Sequence, residues 1–365
     1  AWPAVTGEQS GAPVFVDFDM DGDLDIVFGE RGAGCSGPGQ CDDNAGLLSY
    51  YRNDGDAAQA GPWFKIGNWM DITNGNRKLE GSAPTFGDVD GDGDIDMVLG
   101  YYLTDLCNNN VNTRLQYWVN DGSGTLTHTA TTWTKRSDNP TLEFCLLAPQ
   151  EKDQNVRPVL VDIDGDGDLD LVIGSDRPAG TNSDLHLLIN SGNATHPSFA
   201  LVNPSFSVPT LSGVKTGLSG DEFFAPAFGD MDGDGDLDLL LGTKTKLWYF
   251  RNEGSATAAA FVERTGQSGI DPLLDTASTF PNSAPAIGDL NGDGHPELIV
   301  SVMTQDDNND VLPPSYTLWY GGVVVDTAAP CPSGGGVKIC THEGTCSAAG
   351  TCSSQVCPAG RWGFS

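Results

Sequence analysis

The chain consists of short apolar runs separated by polar segments rich in turn-forming residues, and no long window shows the 3.6-residue period of a helix. Several runs are apolar at consecutive positions, as in Ile26-Val27-Phe28, Met97-Val98-Leu99 and Leu239-Leu240-Leu241. A strand that is apolar on both faces belongs to a sheet that is covered on both sides. The pattern therefore predicts an all-β protein whose sheets pack face to face.

These apolar runs belong to a repeat. A phrase such as Ala12-Pro13-Val14-Phe15-Val16 leads into an acidic segment, and the apolar run follows it. The phrase occurs five times, and its first aspartates are Asp17, Asp88, Asp162, Asp230 and Asp289. A looser phrase follows each time and ends in Asn53, Asn120, Asn190 and Asn252, whereas Leu318-Trp319-Tyr320 stands in its place in the fifth unit.

Each repeat has the length and pattern of four short strands. In the second unit these are predicted at about 83–88, 95–101, 115–120 and 125–134. Four-stranded antiparallel sheets that pack around a common axis form a β-propeller. We therefore predict five four-stranded blades over residues 1–330, with Val323–Asp326 as the last outer strand. The way in which the ring closes is left open.

The acidic segments have the form Asp-x-Asp-x-Asp-Gly-x-x-Asp. Oxygen ligands at positions 1, 3, 5 and 9, together with the carbonyl at position 7, suit a hard cation such as Ca²⁺. Glycine at position 6 permits the sharp turn around the ion. Position 12 is apolar, as in Phe28, so that the loop lacks the last ligand of an EF-hand and joins two strands. We predict about five Ca²⁺ ions, and Mg²⁺ is disfavoured because it demands octahedral geometry.

The candidate ligands follow from these positions. The side chains at positions 1, 3, 5 and 9 are Asp17, Asp19, Asp21 and Asp25; Asp88, Asp90, Asp92 and Asp96; Asp162, Asp164, Asp166 and Asp170; Asp230, Asp232, Asp234 and Asp238; and Asp289, Asn291, Asp293 and Glu297. The carbonyls at position 7 belong to Asp23, Asp94, Asp168, Asp236 and His295. The fifth set has fewer anionic ligands and is expected to bind most weakly. The alternative is a solvated acidic hairpin, which is disfavoured because so many close carboxylates repel one another.

The charge of the chain follows largely from these segments. The chain has 18 Lys and Arg against 50 Asp and Glu, a net charge of −32. The motifs hold five acidic residues in each of the first four copies and three in the fifth, together 23 of the 50. A field of this sign disfavours nucleic acids and anionic lipid surfaces as partners. No run approaches the 18 apolar residues of a membrane span, so that no membrane insertion is predicted.

Nine cysteines are spread unevenly along the chain. Five of them fall within 331–365, which predicts a disulfide-stapled module that continues beyond the chain. The others are expected to pair as Cys35 with Cys41 and Cys107 with Cys145, although connectivity does not follow from sequence. The start at Ala1 is expected for a processed segment, and the sequon Asn193-Ala194-Thr195 fits secretion. These features favour an extracellular or cell-surface location.

The repeated phrases resemble a known family. Ala83-Pro84-Thr85-Phe86-Gly87-Asp88, with the acidic loop up to Asp96, and Ala225-Pro226-Ala227-Phe228-Gly229-Asp230 resemble FG-GAP/VCBS repeats. These are the calcium-loop blades of the integrin α-subunit propeller and of many secreted proteins. The resemblance implies Ca²⁺ on hairpins at one rim of a propeller, and no single activity. The ending from Cys352 to Gly363 is similar to the start of EGF- or ephrin-receptor-like cysteine-rich repeats.

No familiar catalytic motif is present. The sequence has no HExxH, no GxSxG and no P-loop, and the GxGxxG letters at 32–37 contain a cysteine and precede a proline. We therefore predict that the chain is not an enzyme and has no catalytic residue. The pairs Tyr50-Tyr51, Tyr117-Trp118 and Trp248-Tyr249 fit packing between blades better than stacking on sugars.

These observations give three functional hypotheses. The first is a calcium-stabilised structural or adhesive module of a larger extracellular assembly. Its partners would be other extracellular proteins, glycans or further copies of the chain. The second is a calcium-dependent lectin, and the third is a polysaccharide lyase or hydrolase scaffold.

Overall fold

The structure is a computed structural model of the whole chain. The residues that it describes are 12–29, 47–55, 62–71, 73–74, 77–78, 80–102, 115–120, 133–136, 154–176, 185–193, 196–202, 218, 221–265, 282–290, 296–302, 315–319 and 362–363. All regular elements within these ranges are β-strands, which confirms the predicted all-β class. No helix in these ranges is long and apolar enough to cross a membrane.

The strands form five antiparallel four-stranded sheets, here called blades 1 to 5. Their strands, from first to last along the chain, are β1 (Ala12–Val16), β2 (Asp25–Gly29), β3 (Leu47–Asn53) and β4 (Trp63–Asp71); β7 (Glu80–Gly87), β8 (Asp96–Tyr102), β9 (Leu115–Asn120) and β10 (Trp133–Arg136); β11 (Gln154–Val161), β12 (Asp170–Asp176), β13 (Leu185–Asn190) and β14 (Phe199–Leu201); β15 (Ala225–Gly229), β16 (Asp238–Gly242), β17 (Leu247–Asn252) and β18 (Phe261–Glu263); and β19 (Ser283–Gly288), β20 (Glu297–Val302), β21 (Ser315–Trp319) and β22 (Trp362–Gly363). A small separate hairpin pairs β5 (Thr73–Asn74) with β6 (Arg77–Lys78).

The first strands of the blades surround a common axis and close a ring. β1 contacts β7, β7 contacts β11, β11 contacts β15, β15 contacts β19, and β19 contacts β1 again. At the closing contact, a Cβ added to Gly288 would lie 2.9 Å from Leu24 Cδ1 and 2.9 Å from Phe15 Cδ2. The ring therefore closes by direct packing of the fifth blade on the first. This arrangement confirms the predicted β-propeller.

The second strand of each blade is buried on both faces, as its continuous apolar pattern predicted. Ile26, Val27 and Phe28 are each at most 2% exposed. Ile26 and Phe28 pack in one cluster with Ile299 of blade 5, whereas Val27 packs with Leu99 of blade 2. Each blade is thus covered by a neighbour on both sides, which is the physical reason for the double apolar face.

Glycines at the ends of the second strands allow neighbouring blades to approach closely. A Cβ on Gly29 would lie 2.0 Å from the Ser82 carbonyl oxygen of the next blade, and a Cβ on Gly174 would lie 2.2 Å from the Phe224 carbonyl oxygen. The prolines of the repeated Ala-Pro phrase complete these contacts. The added Cβ on Gly29 would lie 2.7 Å from Pro84 Cδ, and the one on Gly174 would lie 2.7 Å from Pro226 Cδ. The Ala-Pro phrase of one repeat therefore packs on the glycine of the preceding repeat.

The outer strands are described only in part. In blade 2 the described part of the last strand is Trp133–Arg136, and residues 125–132 of the predicted strand lie outside the described residues. Four blades consist entirely of strands from one repeat, whereas in blade 5 β21 pairs with Trp362–Gly363 near the C-terminus. The expected strand Val323–Asp326, all nine cysteines and nearly all of the expected module 331–365 lie outside the described residues, so that those expectations remain predictions.

Candidate metal centres

Each acidic motif forms the loop between the first and second strands of its blade. We call these loops 1 to 5, for residues 17–25, 88–96, 162–170, 230–238 and 289–297. The pairing of Val16 with Asp25 and of Val161 with Asp170 brings the two ends of a loop together. Because the topology is the same in every blade, all the loops lie at one rim of the propeller.

Hydrogen bonds from the backbone to the first aspartate fold loops 1 to 4. Asp162 Oδ1 accepts hydrogen bonds from Gly165 N at 2.7 Å and Asp166 N at 3.1 Å, and its Oδ2 accepts one from Gly167 N at 3.0 Å. Gly167, at position 6, has φ +94°, a conformation that glycine adopts without strain. The equivalent aspartates Asp17, Asp88 and Asp230 bind their loops in the same way. The motif therefore folds its own turn.

The folded loops bring carboxylates together. In four clusters, three carboxylates each contribute an oxygen that lies within 4.8 Å of the other two. The clusters are Asp17, Asp19 and Asp21; Asp88, Asp90 and Asp96; Asp162, Asp164 and Asp170; and Asp230, Asp232 and Asp234. The remaining predicted side-chain ligands of loops 1 to 4 are not members of these clusters, namely Asp25, Asp92, Asp166 and Asp238.

The aspartate at position 3 has an oxygen with no hydrogen-bond partner. Within the described part of the chain, the Oδ1 atoms of Asp19, Asp90, Asp164 and Asp232 are buried and accept no hydrogen bond. Burial, and then the charge of neighbouring Asp166, raise the pKa of Asp164. A buried carboxylate oxygen without a partner is costly, and a cation would satisfy it. The donor set and this oxygen fit a hard divalent ion.

The aspartate at position 9 lies deeper and joins the loop to the blade. Asp25 Oδ2 accepts hydrogen bonds from Phe18 N at 3.1 Å and Tyr50 Oη at 2.8 Å, and its Oδ1 accepts one from Asn53 N at 2.7 Å. Burial raises the pKa of Asp25 to about 7 despite these bonds. Asp96, Asp170 and Asp238 are also buried, with pKa values raised to about 7.

Two partners of this aspartate were not predicted as site residues. The hydroxyl groups of Tyr50, Tyr117 and Tyr249 donate to position 9 in blades 1, 2 and 4, while Leu187 replaces the tyrosine in blade 3. The backbone nitrogens of Asn53, Asn120, Asn190 and Asn252 donate to it in all four of these blades. The signal in the sequence was the recurring Asn-x-Gly after the third strand.

Loop 5 is described only at its ends. Asn291, Asp293 and His295 lie outside the described residues. Glu297, at position 9, is 1% exposed, and its Oε2 accepts a hydrogen bond from Leu290 N at 2.7 Å. Glu297 therefore makes the same contact to the loop backbone as Asp25, Asp96, Asp170 and Asp238 do in their blades.

The paired aromatic residues lie in the packing between strands and blades. Tyr50, Tyr51, Tyr117 and Tyr249 are at most 5% exposed. Lys246 Nζ lies 3.5 Å from the ring centroid of Trp248, and the ring of Phe250 stacks at 6.3 Å from it. These positions support the interpretation that the pairs pack rather than stack on sugars.

A comparison with known families adds an independent finding. Residues 162–241 and 230–300 match the family described as FG-GAP-like repeat. Over residues 162–300 the chain is similar to FG-GAP-like repeats. Each match runs from the acidic loop of one blade to the second strand of the next, and together they run from loop 3 to the second strand of blade 5. The predicted resemblance to FG-GAP repeats is thus confirmed over residues 162–300, whereas the resemblance of the C-terminal end to cysteine-rich repeats is not shown.

Solved structures with a similar arrangement include sugar-processing and sugar-binding proteins. An endo-arabinase from Bacteroides thetaiotaomicron is 14% identical, with 86% of this chain and 94% of that chain covered and a TM-score of 0.47. An α-L-arabinofuranosidase from Lactobacillus brevis is 11% identical, with 82% and 94% covered and a TM-score of 0.43. A variant of the Aleuria aurantia lectin in complex with α-methyl-L-fucoside is 12% identical, with 86% and 76% covered and a TM-score of 0.40.

These structures correct one expectation. The prediction that the chain is not an enzyme is contradicted, because two of these three structures are glycoside-cleaving enzymes. The missing HExxH, GxSxG and P-loop motifs do not by themselves exclude catalysis. At these identities the likeness concerns the fold alone and assigns no reaction to this chain. A search of curated protein sequences found no match.

Proposed function

We propose that loops 1 to 5 bind Ca²⁺, about one ion per loop, and that the ions stabilise the propeller. The observation that supports this proposal is the buried, unpartnered oxygen at position 3 in each of the four loops that the structure describes completely. Bound Ca²⁺ supplies the positive charge that this oxygen and its neighbouring carboxylates require. Positions 1, 3, 5 and 9 would provide side-chain oxygens, and position 7 would provide a carbonyl oxygen.

The proposed role of the stabilised propeller is that of an interaction module. The loops hold 23 of the 50 acidic residues, and about five bound Ca²⁺ ions would change the net charge from −32 to about −22. A need for bound Ca²⁺ supports an extracellular or cell-surface setting. There the propeller would bind other proteins, glycans or copies of itself as a structural or adhesive part of a larger assembly.

Thermal unfolding in EDTA and in millimolar Ca²⁺ tests the metal proposal. A ligand that binds only the folded state stabilises it by about 2.7 kcal/mol at a hundredfold excess over its dissociation constant. We therefore expect a marked rise in melting temperature with Ca²⁺ and a smaller one with Mg²⁺. Asp164→Asn should reduce the number of bound ions by about one. An unchanged melting temperature in EDTA would overturn the proposal.

A further inference from the structure

Loop 4 contains a cationic side chain among its carboxylates. Arg251 Nε lies 2.5 Å from Asp232 Oδ2, and Arg251 Nη2 donates a 3.1 Å hydrogen bond to Asp234 Oδ2. The Asp232 side chain is 5% exposed, and its Oδ1 accepts no hydrogen bond from the described residues. The guanidinium therefore lies at the position 3 and position 5 carboxylates, which are the side chains proposed to hold the ion.

The equivalent residues of the other blades differ. The strand registers place Arg52 of blade 1, Val119 of blade 2 and Ile189 of blade 3 at the position of Arg251. Arg52 binds Asp54 by two nitrogens, and its Nε lies 3.9 Å from Asp19 Oδ2 of loop 1. In blade 3 an isoleucine occupies this place, so that the third strand brings no charge to loop 3.

The residue that follows the last asparagine of the third strand, Asn53 in blade 1 and Asn252 in blade 4, explains why the two arginines differ. In blade 1 that residue is Asp54, which draws the guanidinium of Arg52 away from the loop. In blade 4 it is Glu253, which instead forms an ion pair with Arg264. Arg251 therefore directs its charge to Asp232 and Asp234 without a competing acid after the strand.

We propose that Arg251 is a tethered cation that partly replaces the metal in loop 4, so that loop 4 binds Ca²⁺ more weakly than loop 3 and depends on it less for folding. The inference rests on the proposed calcium function and adds a residue that sets the affinity of one site. A Ca²⁺ ion at loop 4 must compete with the guanidinium for the oxygens of Asp232 and Asp234, whereas loop 3 imposes no such competition from its third strand.

Calcium titration of the full chain, after removal of metal with EDTA, tests this proposal by calorimetry. Arg251→Met keeps the apolar stem and removes the charge. We expect it to lower the melting temperature in EDTA and to tighten one class of sites at least tenfold. Arg251→Lys should keep weak binding at that site. Ile189→Arg should weaken one tight site and raise the melting temperature in EDTA, and Ile189→Met is the matched control without a change of charge.

The outcomes separate the two proposals. If the wild-type chain shows no calcium heat and the same melting temperature with EDTA and with Ca²⁺, the calcium function itself fails. If the wild-type chain binds Ca²⁺ but Arg251→Met leaves the isotherm unchanged or weakens binding, the role of Arg251 is overturned while the calcium function stands. If Arg251→Met does not fold, Ile189→Arg decides, and an unchanged isotherm in that variant would also overturn the proposal.

Discussion

The hydroxyl group of Tyr249 donates a 2.8 Å hydrogen bond to Oδ2 of Asp238, which lies eleven residues earlier in the chain. Both side chains are buried, at 0% exposure each. Burial raises the pKa of both groups, to about 7 for Asp238. The bond therefore connects the base of an acidic loop to the third strand of the same blade, where an uncompensated carboxylate would be costly.

Tyr249→Phe should destabilise the protein by about 1.5–3 kcal/mol, because it removes one hydrogen bond to a buried charged group. Thermal unfolding in excess Ca²⁺ measures the loss. A double-mutant cycle with Asp238→Asn isolates the pair, since the effect of Tyr249→Phe should shrink in that background. Equal effects in both backgrounds would show that the hydroxyl does not act through Asp238.

Asn252→Ala should cost about 1–3 kcal/mol, because one side-chain oxygen caps two backbone groups. Asn252 Oδ1 accepts hydrogen bonds from Gly254 N at 3.0 Å and Ala260 N at 2.8 Å. Chemical unfolding should detect the loss. Glu253→Ala is the control. Glu253 is exposed, and its only described ion pair is with Arg264 at the surface, so that its loss should change stability by less than about 0.5 kcal/mol.

Gly174→Ala should destabilise the contact between blades 3 and 4 by about 3 kcal/mol or more, because its Cβ would lie 2.2 Å from the backbone oxygen of Phe224. Gly167→Ala is the comparison within the same blade. Nothing lies within 4 Å of a Cβ at Gly167, so that only its positive φ penalises alanine, by about 1–2 kcal/mol. Melting temperatures in Ca²⁺ compare the two variants. A smaller loss of stability in Gly174→Ala than in Gly167→Ala would contradict the prediction.

Met20→Gly should stabilise loop 1 by up to about 1 kcal/mol. Met20 has φ +59°, whereas glycines occupy the same motif position in loops 2 to 4, with φ of +70°, +71° and +76°. A side chain in this region costs about 1–2 kcal/mol, and the greater freedom of glycine in the unfolded chain offsets part of the gain. Met20→Ala keeps the Cβ and should give no gain. Unfolding midpoints of the wild-type chain, Met20→Gly and Met20→Ala test this prediction, and a midpoint of Met20→Gly below that of the wild-type chain would contradict it.

The sequence by itself determined the repeat, the strand class and the loop chemistry. The continuous apolar runs at Ile26-Val27-Phe28 could arise only where both faces of a strand are covered, and the spacing of the aspartates follows from local turn geometry. Both are properties of short segments, and short segments can be read without knowledge of distant contacts.

The tertiary structure alone decided how the repeats combine. It closed the ring by packing Gly288 on Phe15 and Leu24, residues that lie more than 260 positions apart in the chain. It turned Asp25 and Asp238 towards tyrosine hydroxyls and asparagine nitrogens of the third strand, and it placed Arg251 among the carboxylates of loop 4. These contacts depend on strand register and on the path of neighbouring blades, which no local pattern of residues specifies.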